Sequence, residues 1–192
     1  MAVSHTHLRL WTREEYLKMA EAGVLAPGER VELIEGEIIA RTPQKGPHAT
    51  GITLVSEELR RPFGRGYVVR VQLPLDLGSL SQPEPDVAVV RGSARDYRDA
   101  HPTTAVLVVE VSDVTLHLDR LQKPGLYARA GIPEYWILNL PERVLEVYRD
   151  PAARPDHPLG FGYRSTDRLD ASVSVVPLAA SATPIAVADL LP

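Results

Sequence analysis

A chain of 192 residues, 44% of them hydrophobic, is long enough to bury one core and fits one domain better than two. Its formal net charge of -4 excludes a surface that is basic throughout, so any contact with nucleic acid has to be local or metal-assisted. The absence of cysteine excludes disulfides, thiolate nucleophiles and cysteine-built zinc sites, and no stretch approaches the roughly 20 apolar residues of a membrane span.

The N-terminal MAVSHTHLRL lacks the apolar segment of a secretory signal, which sets the expectation of a soluble cytoplasmic protein. His5 and His7 fall in this tail and receive no role. Thr12 and Glu15 form a capping-box pattern with Trp11 and Tyr16 as the flanking apolar pair, predicting a helix from about Arg13 to Ala22, closed by Gly23. Val31 to Ile39 reads as two short strands around a Glu35-Gly36 turn. In an ordinary hairpin Glu32, alternating with Val31 and Leu33, would point away from the core. After the loop RTPQKGPH, Ile52, Val55 and Leu59 recur at helical spacing within Ala49 to Arg61. Pro62, Gly64 and Gly66 then break the chain before a strand, Tyr67 to Leu73. Arg60, Arg61, Arg65 and Arg70 make the densest basic segment, which ordinarily means a solvated face. Leu77 to Gln82 reads as a loop. In PEPDVAVV two prolines fix an extended entry, and Asp86 stands immediately before the apolar strand Val87 to Val90. Gly92 to Pro102 is a polar loop.

The stretch from Thr103 to Leu140 is the centre of the chain. Ala105 to Val109 is an apolar, largely β-branched run of the kind buried on both faces of a sheet, and Glu110 interrupts it. An unpaired buried carboxylate costs several kcal/mol, so Glu110 requires a cation, hydrogen-bond donors or water. Beyond a polar stretch, Val114 to Asp119, Lys123 and Tyr127 are four residues apart, on one face of a helix that stops at Gly131. Only three of the chain's basic residues are lysine, Lys18, Lys45 and Lys123, which singles Lys123 out further. Tyr127 and Trp136 read as core aromatics. A second strand, Glu134 to Leu140, pairs with Arg143 to Tyr148 through the Pro141-Glu142 turn. Asp150 to Gly160 reads as a loop, Phe161 to Pro177 as one or two weaker strands, and Ile185 to Leu191 as a short terminal element. The order of elements predicts an α/β (α+β) protein, a central mixed sheet flanked by helices.

Asp86, Glu110 and Lys123 carry the chemistry. Two carboxylates on neighbouring strands suit a hard divalent cation with oxygen ligands, and a lysine beside them can orient a nucleophile or offset developing charge. These residues resemble the signature of the PD-(D/E)xK nuclease superfamily, the restriction-endonuclease-like fold: Pro85-Asp86, then Glu110-Val111-Ser112. More closely, ELIEGEI (32 to 38), PQKGPH (43 to 48), PEPDVAVV (83 to 90), VVEVSD with Thr115, and KPGLYARAGIPEYWIL (123 to 138) resemble the restriction-endonuclease branch whose substrate is unassigned. The resemblance covers about residues 12 to 148 of a single domain spanning 1-192, leaving C-terminal strands and a tail. It implies a Mg²⁺- or Mn²⁺-dependent endonuclease acting on DNA, often a homo-oligomer, with a dimer expected because cutting both strands benefits from two-fold symmetry. Asp86, Glu110 and the backbone carbonyl of Val111 would hold the metal. Glu32 matches an acidic position that adds a metal ligand or an outer carboxylate, and His48 matches a histidine that contacts phosphate. The superfamily's usual lysine, two residues after the second carboxylate, is Ser112 here, and the resemblance implies that Lys123 replaces it. Two other functions compete: a non-catalytic module of the same fold that binds nucleic acid or protein, and a metal-dependent hydrolase of small phosphate esters, which would have a deep closed pocket.

Overall fold

The computed structural model describes residues 8–26, 28–41, 43–114, 116–180 and 182–192. Thr115 of the central motif, and His5 and His7, lie outside them.

Helix α1 (Arg13–Glu21) starts as its sequence dictates: Thr12 Oγ1 accepts from the Glu15 N–H at 3.2 Å, and Glu15 accepts from the Thr12 N–H at 3.0 Å. Tyr16 then packs on Val31 and Leu33. Strands β1 (Val31–Ile34) and β2 (Glu37–Ala40) form the expected hairpin. Its turn residues, Glu35 and Gly36, have φ of 52° and 80°, as a two-residue turn of this hand requires. Glycine is needed at 36 for a second reason, because a side chain there would run into Leu10. Helix α2 (Gly46–Arg60) begins three residues earlier than its apolar periodicity indicates, with Pro47 in its first turn, where a missing N–H costs nothing.

The main sheet has six strands in chain order: β3 (Tyr67–Val71), β4 (Val87–Arg91), β5 (Leu107–Ser112), β6 (Glu134–Asn139), β7 (Val144–Ala153) and β8 (Phe161–Asp170). All neighbours are antiparallel except β5 and β6, which are parallel and joined by helices α3 (Leu116–Leu121) and α4 (Lys123–Arg129). Two short strands, β9 (Ser174–Val175) and β10 (Ile185–Ala186), pair with each other ahead of α5 (Val187–Leu190). The architecture is the expected mixed sheet flanked by helices.

Alternation sorts the core. Val87, Val89, Leu107, Val109 and Val111 face α2 and α5, while Ala88, Val90 and Val108 face α4 with Leu126, Tyr127 and Tyr135. Asp86 and Glu110 share the parity of the second set, so both carboxylates lie on the α4 side. Three further differences from expectation bear on the site and its surroundings. The polar stretch before Lys123 contains α3, whose Arg120 docks on Glu146 of β7. The loop expected from Asp150 starts only after Ala153: β7 continues through Pro151 because β6 pairing ends at Arg149 and only β8 lies alongside. Glu32 does not point away from a core. All four residues of β1 are buried, and the Glu32 carboxylate is held by the Glu84 N–H at 3.0 Å.

Candidate active site

The register of β4 on β5, Val87 opposite Val109, brings Asp86 opposite Glu110. The Asp86 N–H points to Glu110 Oε2 at 3.4 Å, and the Val111 N–H donates to Asp86 Oδ2 at 2.9 Å. Val111 itself turns its side chain to the α2 face. Three further side chains serve Asp86: Arg41 at 3.0 Å and Gln72 at 3.2 Å on Oδ1, and His48 Nε2, 3.4 Å from Oδ2. Arg41 follows the end of β2 and also donates to the Glu84 carbonyl, which fixes its guanidinium beside the strand entry.

Helix α4 supplies the other side. Lys123 Nζ lies 2.9 Å from Glu110 Oε1, 3.1 Å from Asp119 on α3 and 4.0 Å from Glu32. One turn on, Tyr127 donates its hydroxyl to the same Glu110 oxygen at 2.7 Å. Tyr127 is therefore a core aromatic with one polar end in the site. Ser112, at the usual lysine position, is fully buried, and its Oγ has no hydrogen-bond partner among the described residues.

Burial sets the electrostatics. Glu32, Asp86, Glu110 and Asp119 are each at most 2% exposed, and face Lys123 and Arg41. When all are ionised, the carboxylates exceed the two cations by two charges. Burial pushes the Glu110 carboxyl up to about 7, against the pull of Lys123 and with Asp86, Asp119 and Glu32 adding repulsion. Burial acts the same way on Asp86, but His48, Lys123 and Arg41 outweigh it and hold that carboxyl below the ordinary range. Lys123 loses stability as a cation through burial, yet Glu110, Asp119, Glu32 and Asp86 keep it charged.

These groups line a cavity of about 550 Å³ between the β2–α2 loop and the segment joining β5 to α3. The structure thus brings Glu32, His48, Asp86, Glu110 and Lys123 to one place. It does not bring Arg60, Arg61, Arg65 or Arg70 there. Arg60, Arg61 and Arg65 are exposed as a solvated face would be, whereas Arg70 is buried, donating to the Pro74 carbonyl and stacked over Tyr97. Sequence reasoning passed over Arg41, Gln72 and Asp119. Asp119 carried a signal, its place four residues before Lys123 as Tyr127 is four after it; Arg41 and Gln72 carried none beyond the need of a buried Asp86 for donors.

The donor set suits a hard divalent cation in two respects: it is all oxygen, and its surplus of two negative charges is the charge such an ion carries. Among the described residues, no three acidic or imidazole groups are already arranged as a ligand cluster.

A mixed sheet with two strand-borne carboxylates facing a helix-borne lysine defines a restriction-endonuclease-like protein. The chain belongs to the Uma2 family, described as "Putative restriction endonuclease", whose model matches residues 13–175. It shares its fold with a crystal structure from Anabaena variabilis described as a "putative nuclease", with a TM-score of 0.69 and 19% identity over 93% of this chain and 96% of that one. No curated relative matches the chain. No helix among the described residues is long and apolar enough to cross a membrane.

Proposed function

We propose that this protein is a metal-dependent endonuclease that hydrolyses phosphodiester bonds of DNA. The observation that carries the reading is the convergence of Asp86, Glu110 and Lys123 in one cavity, with Lys123 Nζ 2.9 Å from Glu110. Glu110 and Asp86, with the Val111 carbonyl, would hold Mg²⁺ or Mn²⁺, and Glu32 would stand behind them as a further carboxylate. The bound ion would neutralise the attacked phosphate and acidify a water. Lys123, charged and fixed between Glu110 and Asp119, would orient the attacking water and offset charge gathering on the phosphate. Tyr127 holds Glu110 in place. His48, largely buried at the start of α2 with its side chain 15% exposed, would contact the phosphate.

The four donors already on Asp86 favour a second reading, a non-catalytic module that keeps its carboxylates for stability. Supercoiled-plasmid nicking in Mg²⁺, Mn²⁺ and EDTA separates the two. Asp86→Asn, Glu110→Gln and Lys123→Met are run beside the wild type, each checked for native circular dichroism because all three sites are buried. Metal-dependent nicking that disappears in all three folded variants is the expected result. Nicking retained in Lys123→Met would remove the lysine from the mechanism. No nicking by the wild type would favour the binding module.

A further inference from the structure

The cavity that holds the carboxylates is poorly shaped for a double helix. Its volume, about 550 Å³, lies within the range of small-molecule sites, roughly 300–1,000 Å³. Glu110 and Lys123 sit inside it at 2% and 4% exposure. A phosphate fixed on the outside of a stacked, paired helix cannot descend to such groups, whereas an unpaired strand can turn one nucleotide inward.

The walls suit a nucleotide better than a bare phosphate ester. Both sides of the cavity carry apolar side chains, Ile39 and Pro43 on the β2–α2 side and Val114 and Leu118 on the β5–α3 side, and Val114 is 66% exposed. A base removed from its stack finds there the apolar surface that single-strand binders offer. Arg30 and Lys45 line the cavity in addition to Arg41, more cations than one phosphate needs, which suits a ligand that carries neighbouring phosphates. Gln44 adds an independent sign. Its Nε2 is enclosed and has no hydrogen-bond partner among the described residues, although its residue lines the cavity. An enclosed amide without an acceptor is unfavourable, so the Gln44 side chain gains by turning its Nε2 into the cavity when a ligand there offers an acceptor.

We propose that the DNA this site accepts is unpaired, a single-stranded stretch or a strand end, with a base between Ile39 and Pro43 on one side and Val114 and Leu118 on the other, and with Gln44 Nε2 turning to donate to the bound nucleotide. The proposal rests on the nuclease reading above and narrows its substrate. Nicking of a supercoiled plasmid agrees with it, because negative supercoiling opens short unpaired stretches.

The test compares, in Mn²⁺ and with the full chain, circular single-stranded DNA, a relaxed covalently closed duplex of the same sequence, and bis(p-nitrophenyl) phosphate. Single-stranded circles are expected to be cut at least about tenfold faster than the relaxed duplex. Gln44→Ala is expected to raise KM for single-stranded DNA about three- to tenfold with kcat and melting temperature kept, the split expected from losing one hydrogen bond of about 0.5–1.5 kcal/mol to bound substrate. Relaxed duplex cut as fast as single strands would overturn the proposal and leave the nuclease reading standing. An unchanged KM in Gln44→Ala would remove Gln44 from the contact. Hydrolysis of the small diester alone, or of nothing, would overturn the proposal and the nuclease reading together.

Discussion

Lys123 stays charged in a place where burial works against it because four carboxylates surround it. The balance is kept by neutral groups as well. Tyr127, fully buried with its own proton held firmly, can only donate to Glu110 Oε1, and it shares that oxygen with Lys123. Tyr127→Phe keeps the ring packed on Tyr135, 5.0 Å away, and removes only this donor. The variant is expected to lose about 1–3 kcal/mol in urea unfolding, and to lower kcat on plasmid with KM kept. Unchanged stability would show that Lys123 alone satisfies the oxygen. Asp86, Glu110 and Lys123 were legible at this scale because each breaks a local pattern: a carboxylate at a strand entry, a carboxylate inside an apolar run, and a rare lysine. Arg41 and Gln72 break none. Their meaning comes from reaching Asp86 across 45 and 14 positions of sequence, a proximity that only the folded chain creates.

The elements that carry the site are held from behind. Helix α4 lies against the β7–β8 hairpin, and the His157 ring packs on Gly125, two residues after Lys123, so closely that a Cβ would overlap it. Gly125→Ala is expected to cost about 1–3 kcal/mol by overpacking and to reduce cleavage by displacing Lys123. His157→Ala in the same chain should restore most of both, and failure of that rescue in thermal melts would locate the strain elsewhere. Helix α3 is latched differently. Burial would raise the Glu146 carboxyl, but hydrogen bonds from Arg120, Asn139 and Tyr148 outweigh it and hold it below the ordinary range. A depressed folded value means that the latch stabilises fully above the unfolded value, about 4.5, and weakens as pH falls through the folded one. Wild type should therefore lose more stability than Glu146→Gln as pH drops below about 4.5 in chemical denaturation. Parallel pH profiles would remove Glu146 from the linkage. The strands and long helices were readable from periodicity and capping. The extension of β7 through Pro151 was not, because a proline is tolerated there only for want of a β6 neighbour at that height.

At the scale of the whole molecule, the sheet order follows the chain, and its one parallel pair, β5 with β6, places the crossover helices over the carboxylate face. The motif order made this fold readable: carboxylate strand, carboxylate strand, lysine helix, closing hairpin. What the order did not reveal is the charge imbalance of the assembled interior, since that depends on Glu32 turning inward and on α3 delivering Asp119. A site whose four buried carboxylates, when all are ionised, exceed Lys123 and Arg41 by two charges should be stabilised by an ion that supplies two positive ones. At Mn²⁺ about a hundredfold above its dissociation constant, linkage gives about 2.7 kcal/mol. For a chain of this length that is roughly 5 to 10 °C of melting temperature. The gain should appear with Mg²⁺ or Mn²⁺, vanish in EDTA, and shrink sharply in Glu110→Gln, which removes one of the surplus charges and one ligand while keeping the shape that Tyr127 and Lys123 contact. An equal rise in wild type and variant would mean that the ion binds elsewhere, and the charge balance of the cavity would then have to be met by protons on its carboxylates, Glu110 first.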